Sequence, residues 1–254
     1  MKNKEIMRQQ CINLMIGIFL TLLYAEASHA QDVIPLTNPS FEDVPKQSQP
    51  PRGWGNCGFP LESPTDVHPA TDSISFWQVT QPASDGDTYL GMVVRDNETY
   101  ESISQYLPAP LRAGTCYEME ISLCRSKIYI SQSRMTGRTE NYDEPVVFRI
   151  YGGTAICERS ELLYESPPVS NFDWDIYSVE MKPSGQYRTI TLEAYYKTPV
   201  LFPYNGNLLV DHASNIRRVT CPEEIAKLDK SERPADTHPQ SAHQKSSTST
   251  LKNA

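Results

Sequence analysis

Thr115-Cys116-Tyr117-Glu118-Met119-Glu120-Ile121-Ser122-Leu123-Cys124-Arg125 is the stretch that decides the fold. Tyr117, Met119, Ile121 and Leu123 fall at every second position, with Cys116, Glu118, Glu120, Ser122 and Cys124 between them. Successive side chains of an extended chain point to opposite faces, so this stretch reads as a strand with one apolar face and one polar face. The same period recurs at 146–151, at 174–181 with Tyr177, Val179 and Met181 together, at 187–196 with Ile190, Leu192, Ala194 and Tyr196 together, and at 207–219. Earlier segments of this kind lie at 36–42, 74–80, 88–94 and 100–107. No segment of helical length is amphipathic at the helical period, and Pro, Gly, Asn and Asp clusters separate the strands. About nine such strands predict an all-β domain of two antiparallel sheets packed face to face.

The chain has 254 residues, with 23 Lys plus Arg against 31 Asp plus Glu and a formal charge of -8. That sign repels a phosphate backbone, so no nucleic-acid partner is expected. Mean hydropathy is -0.49, and the one long apolar run sits at the start, which excludes a multi-span membrane protein. Residues 1–10 are polar and carry Lys2, Lys4 and Arg8; an apolar run follows at 12–25, then Ser28-His29-Ala30. This is the layout of a signal peptide of residues 1–30 cut after Ala30, with no membrane span left after cleavage. The expected location is secreted: periplasm, outer surface or extracellular medium. Cys11 precedes the apolar run, the wrong place for a lipid-modified N-terminus, so no lipid anchor is expected. Removing 1–30 takes three bases and two acids (Glu5, Glu26) and leaves 20 bases against 29 acids. From Pro222 onward almost nothing is apolar, so 222–254 reads as a disordered polar tail and 31–221 as the folded domain.

Cys57, Cys116, Cys124, Cys157 and Cys221 remain in an oxidising compartment, and an odd count leaves at least one thiol free. Cys116 and Cys124 lie eight strand steps apart, roughly 26 Å, beyond the reach of a disulfide. The spacings contain no Cys-x-x-Cys and no neighbouring His, which speaks against structural zinc. The pairing among the five stays open at this point.

An ordered set of short motifs supports a resemblance. Asn38-Pro39-Ser40-Phe41-Glu42 opens the domain and Gly53-Trp54 follows, then Asp85-Gly86-Asp87-Thr88-Tyr89-Leu90-Gly91. Leu107-Pro108-Ala109-Pro110-Leu111-Arg112-Ala113-Gly114-Thr115-Cys116-Tyr117 stands at the centre and Asn207-Leu208-Leu209-Val210-Asp211 near the end. Over nearly all of 31–221 this resembles the galactose-binding-like jelly rolls, which include many carbohydrate-binding modules. It is most similar to envelope-associated versions in Bacteroidota-type bacteria. The resemblance implies a jelly-roll β-sandwich and a calcium ion held by an acid of the first strand and one of the last, positions matched by Glu42 and Asp211. The other reading of these two acids is that they accept hydrogen bonds from loop amides. Asp85 and Asp87 flank a turn glycine and read as turn chemistry.

A sugar site on such a scaffold needs an aromatic platform and nearby hydrogen-bonding groups. Two long loops offer them: 126–144, with Tyr129, Arg134, Arg138 and Tyr142, and 197–207, with Phe202, Tyr204 and Asn205. Tyr129, Tyr142, Phe202, Tyr204 and Asn205 are the expected ligand-binding residues. The outward strand faces, with Glu118, Glu120, Glu193 and Tyr195, are a second location for a shallow groove and read first as ordinary solvated sheet. Trp77 and Trp174 read as core. No Gly-x-Ser-x-Gly, His-Glu-x-x-His or phosphate-cradling glycine loop is present, and His68 and His212 stand alone. The expectation is a secreted, non-catalytic module that recognises a carbohydrate or glycan-bearing surface. The alternative is a structural or adhesive envelope protein that docks another protein, with a glycoside hydrolase third.

Overall fold

The computed structural model describes residues 32–69, 76–197, 199 and 201–225. Its strands in chain order are β1 (Val33–Ile34), β2 (Gly55–Asn56), β3 (Asp66–Pro69), β4 (Thr88–Val94), β5 (Ser102–Leu111), β6 (Cys116–Cys124), β7 (Ile130–Gln132), β8 (Thr139–Asn141), β9 (Val146–Gly153), β10 (Glu161–Glu165), β11 (Asp175–Met181), β12 (Tyr187–Tyr196), β13 (Gly206–Asp211) and β14 (Ile216–Val219). They form a seven-stranded sheet in the order β1-β14-β6-β13-β4-β3, with β11 also on β6, a five-stranded sheet β10-β9-β12-β5-β2, and the hairpin β7-β8. The pairings of both large sheets are antiparallel, as the alternating sequence requires. This is the expected jelly-roll sandwich. Residues 1–30 and 226–254, which carry the signal-peptide expectation and most of the tail, lie outside the described residues. The chain divides into two compact units, Met1–Val219 and Thr220–Ala254. Where the second is described it opens with a helical turn at 222–225 rather than irregular chain, because Pro222 suits a first helical position and Glu223 and Glu224 suit a first turn.

The apolar faces read from the sequence make one core. Tyr117, Met119, Ile121 and Leu123 of β6 gather with Phe148 and Ile150 of β9 and with Ile190, Leu192 and Ala194 of β12. Full burial of each such side chain contributes roughly 1.5–3 kcal/mol, which commits β6 to this register. Residues 36–42 are not a strand. Asn38 and Phe41 adopt left-handed φ of 51° and 53°, and the Asn38 side chain closes the turn by accepting from the Glu42 amide and donating to the Arg52 carbonyl. Leu36 and Phe41 are buried from a loop, with Phe41 packed on Trp54 at 5.5 Å, although their separation of five positions would put them on opposite faces of a strand. Of the segment 74–80, residues 74 and 75 are outside the described residues and 76–80 form a turn. The segment 207–219 is two strands, broken where His212 turns left-handed at φ 46°.

Two disulfides are present. Cys57 bonds Cys157 across a sequence separation of 100, and Cys116 and Cys221 are disulfide-bonded as well. Cys124 is the buried free thiol. No helix among the described residues is long and apolar enough to cross a membrane.

A second, smaller core covers the outward face of the seven-stranded sheet. Tyr89 and Val93 of β4, Leu209 of β13 and Cys124 of β6 point away from the main core and meet Val79, Tyr129 and Tyr142. All seven residues of β4 are therefore buried. Asp66 organises this layer, accepting from the Tyr129 hydroxyl at 2.7 Å and the Trp77 indole N–H at 2.9 Å. His68 stacks on Tyr89 at 5.4 Å and fits only because residue 91 is glycine, whose added Cβ would lie 2.4 Å from the imidazole.

His68 is fully buried and neither ring nitrogen has a hydrogen-bond partner among the described residues. Burial alone pushes its pKa down to about 3, so the unfolded chain takes up a proton near pH 6.5 that the folded chain refuses. The neutral-state advantage is present above pH 6.5 and is lost as pH falls from 6.5 to 3, at about 1.4 kcal/mol per unit. Urea unfolding from pH 7 to pH 4 should show that slope, and His68→Leu should flatten it whatever its effect on stability at pH 7. An unchanged slope would exclude His68 as the source of acid sensitivity.

Candidate functional site

β12 turns Thr189, Thr191, Glu193 and Tyr195 away from the main core. Register places Arg149 of β9 and Ser102 of β5 on either side of Glu193, with Tyr151 and Ser104 flanking Thr191 and Val147 beside Tyr195. Glu165 of β10 stands on the far side of Arg149. The polar half of the strand pattern thus becomes a row of charged, hydroxyl and phenolic groups across four strands.

The row is partly roofed by the strap of residues 154–160 between β9 and β10. The Cys57–Cys157 disulfide ties the strap to the segment following β2, on the other edge of the sheet. Within the strap, Glu158 accepts from the amides of Thr154 and Ala155. The Ala155 carbonyl accepts from the Thr189 hydroxyl at 2.9 Å. Arg159 reaches back over the sheet, its Nε 2.5 Å from Glu193 and its Nη2 donating to Ser102 Oγ at 2.7 Å. Glu193 is only 1% exposed although it faces away from the core. Burial raises its pKa, and Arg159 and then Arg149 oppose that rise. Tyr151 is pushed up to about 12 by burial and by the neighbouring Glu193.

Beyond the strap the face opens onto half-buried rings. The Arg149 guanidinium lies 3.7 Å from the centre of the Tyr195 ring and donates to Glu165 at 2.6 Å. Tyr195 belongs to a chain of edge-to-face rings: Phe59 to Tyr100 at 4.9 Å, Tyr100 to Tyr195 at 5.0 Å, Tyr195 to Tyr196 at 5.5 Å and Tyr196 to Tyr204 at 5.4 Å. Where β9 begins and β12 ends, a cavity of about 290 Å³ lies among Glu144, Lys197, Leu201, Phe202 and Tyr204. Phe202 is 80% exposed there, and the Tyr204 hydroxyl is fixed by the Lys197 amide and the Pro145 carbonyl.

The structure scatters the five expected ligand residues. Phe202 and Tyr204 share the cavity. Asn205 is buried and clamped, accepting from the Asp96 amide and donating to Glu140. Tyr129 and Tyr142 are 2% and 1% exposed in the second core and present no ring face to an outside ligand, a correction to the expectation of stacking platforms there. Their loop folds down onto the sheet because Val93 and Leu209 leave an apolar surface that needs cover. The outward residues expected to share a groove are also divided: Glu118 and Glu120 lie on β6 in one sheet, Glu193 and Tyr195 on β12 in the other. Arg149, Arg159, Tyr151 and Tyr100 were not singled out from the sequence. Arg149 and Tyr151 do follow the alternation of β9, whereas Arg159 lies in a loop and carries no periodic signal.

Glu42 and Asp211 hold loops. Glu42 Oε1 accepts from the Asp87 and Thr88 amides and Oε2 from the Thr88 hydroxyl; Asp211 Oδ2 accepts from the Ser84 and Asp85 amides and Oδ1 from that of His212. Calcium wants six to eight hard oxygens facing one point. In this structure the oxygens of both acids accept from N–H and O–H donors of the loops.

No family model matches the chain, and no curated protein matches it in sequence. Among solved structures it is similar to a cyclase from Fischerella sp. TAU, at TM-score 0.48 and 14% identity over 74% of this chain and 96% of that one. It is also similar to a CBM22 xylan-binding domain from Paenibacillus barcinonensis, at TM-score 0.43 and 12% identity over 75% and 96%. A third is the K1 cleaved adhesin domain of Lys-gingipain from Porphyromonas gingivalis W83, at TM-score 0.41 and 8% identity over 71% and 96%. The sandwich stands on its own strand pairing, and no residue role is transferred from these structures.

The Arg159 contact is testable on its own. Arg159→Ala leaves Glu193 buried without its closest cation, which should cost about 2–3 kcal/mol of unfolding free energy at pH 8. At pH 4, where Glu193 takes a proton, the cost should shrink. Denaturant unfolding at the two pH values checks this, and equal losses at both would refute the electrostatic account.

Proposed function

We propose that the protein is an exported, non-catalytic module that binds a carbohydrate along the outward face of the five-stranded sheet. The observation that carries this reading is Arg149 stacked on Tyr195 beside the buried Glu193. It sets a planar aromatic and fixed charged hydrogen-bonding groups side by side on a rigid strand pair. Pyranoses present the same alternation, with apolar C–H faces for a ring and hydroxyls for charged donors and acceptors. Tyr151, Glu165 and Ser102 extend the polar row, while Tyr100 and Phe59 extend the aromatic side. Glu193 is committed to Arg159, which supports recognition over acid–base catalysis, since a general acid must reach its substrate. The disulfides support an oxidising compartment.

Leu201 and Phe202, 85% and 80% exposed at the tip of their loop, favour one further reading, a docking contact with another envelope protein.

Retention in gels containing neutral or acidic polysaccharides separates these readings. Tyr195→Ala should weaken retention about tenfold, in line with the loss of one stacking ring, with circular dichroism close to wild type and the unfolding midpoint lowered by the lost ring contacts. Loss of retention in Phe202→Ala alone would move the site to the cavity. Failure of the wild type to be retained by any polysaccharide would remove the glycan reading, and release of reducing sugar would make the protein an enzyme.

A further inference from the structure

We propose that a second carbohydrate position lies on the outward face of the seven-stranded sheet, where a cavity of about 250 Å³ between Trp174, Ser122 and His212 takes a single neutral hexopyranose. Nothing in this proposal depends on the Tyr195 face, which belongs to the other sheet.

Strand register builds the floor. Ser122 of β6 stands between Ile176 of β11 and Asp211 of β13, and Glu120 is the next outward residue along β6, opposite Ser178. Ser122 is buried at the bottom, and its hydroxyl is 3.1 Å from that of Ser84. Asp211 accepts from the amides of Ser84 and Asp85 at 2.7 and 2.9 Å, which fixes that loop as one wall. The other carboxylate oxygen accepts from the His212 amide at 2.7 Å, and the left-handed backbone at His212 leaves its imidazole exposed at the rim. Trp174 and Ile176 form the opposite wall. The indole N–H donates to the Pro82 carbonyl at 2.7 Å and the ring meets Tyr89 edge-on at 5.6 Å, so its plane is set before any ligand arrives. Ser214 grips the Glu120 backbone from both sides, accepting from its amide and donating to its carbonyl, each at 2.8 Å. The Glu120 carboxylate makes no hydrogen bond or ion pair among the described residues.

One fixed indole and one exposed aliphatic side chain face two hydroxyls, a free carboxylate and an imidazole. That set matches one sugar ring: C–H face on Trp174 and Ile176, hydroxyls on Glu120, His212 and Ser84. The volume lies below the roughly 300–1,000 Å³ typical of pockets for drug-sized ligands, which limits the occupant to one ring. Glu120 lines the cavity and Asp85 stands 4.0 Å from the His212 imidazole at its rim, so an anionic sugar is repelled and a neutral one accepted.

The experiment uses the whole protein with methyl glycosides of glucose, galactose and mannose as probes, read by tryptophan fluorescence and by saturation-transfer NMR. At least one glycoside should give a saturable fluorescence change in the millimolar range. Glu120→Ala should weaken it tenfold or more by both readouts and Trp174→Ala should do so by saturation transfer, while Tyr195→Ala should leave it intact. Glu120 is exposed, so its variant keeps the test valid even if Trp174→Ala loosens the second core. The proposal falls if no methyl glycoside gives a saturable signal, if the signal survives both variants, or if Tyr195→Ala abolishes it. Binding of methyl glucuronide as tight as that of methyl glucoside would overturn the assignment to neutral sugars. Loss of polysaccharide retention in Tyr195→Ala with the glycoside signal unchanged would show the two positions to be separate, whereas loss of the glycoside signal alone would leave the Tyr195 face in place.

Discussion

Ile121, Leu123, Phe148 and Leu192 are packed between two pleated sheets, and a pleated sheet has a second face. Every strand that sends alternate residues into this core sends the others outward. What covers those outward residues differs between the sheets. On the seven-stranded sheet, Tyr89, Val93 and Leu209 make the outward surface apolar, so the chain lays residues 76–84 and the β7-β8 segment over it. On the five-stranded sheet the outward residues of β12 are Thr189, Thr191, Glu193 and Tyr195, which no apolar layer can cover without stranding hydroxyls and a carboxylate. A strap whose own groups hydrogen-bond back to them covers that row instead, and incompletely.

This difference explains which parts of the molecule were legible in the sequence. β4, β6, β11 and β12 were readable almost to the residue because burial on one or both faces imposes a pattern on consecutive side chains. Residues 36–42 misled because Leu36 and Phe41 reach the core from a turn held by Asn38, and burial looks the same in sequence whatever backbone delivers it. Tyr129 and Tyr142 misled for a related reason. A long loop rich in Tyr fits a sugar platform, and it fits equally well as a lid over an apolar sheet face; only Val93 and Leu209, distant in sequence, decide between the two. Glu193 and Tyr195 were visible as an outward pair. Their partners were not, since Arg159 is placed by a disulfide and a loop rather than by any period.

Charge follows the same division. The chain as a whole is acidic, yet the row on the five-stranded sheet holds Arg149 and Arg159, each paired with an acid that is wholly or partly withdrawn from water. Paired in this way, the guanidiniums act as oriented donors with little net field, which suits a neutral, hydroxyl-rich ligand better than a polyanion. Among the described residues, Asp85, Glu120 and Asp211 pair with no Arg or Lys, so the part of the seven-stranded face around His212 is acidic.

The Cys57–Cys157 disulfide matters more to the strap than to the stability of the core. Closing a loop of about 100 residues removes on the order of 5 kcal/mol of unfolded-chain entropy in the simplest treatment. The β9-β12-β5 ladder would still be specified by its own apolar face without it. What the ladder does not specify is the strap, whose hold on the sheet includes the Arg159 contacts, the Ala155 to Thr189 hydrogen bond and the bond from the Ser160 amide to the Gly152 carbonyl. Hydrogen bonds of that kind are worth about 1–3 kcal/mol each, comparable with the entropy of ordering seven loop residues, so on their own they leave the strap near balance. The covalent tie shifts that balance toward the closed form. It thereby keeps Glu193 paired and the Arg149 and Tyr195 edge pre-arranged.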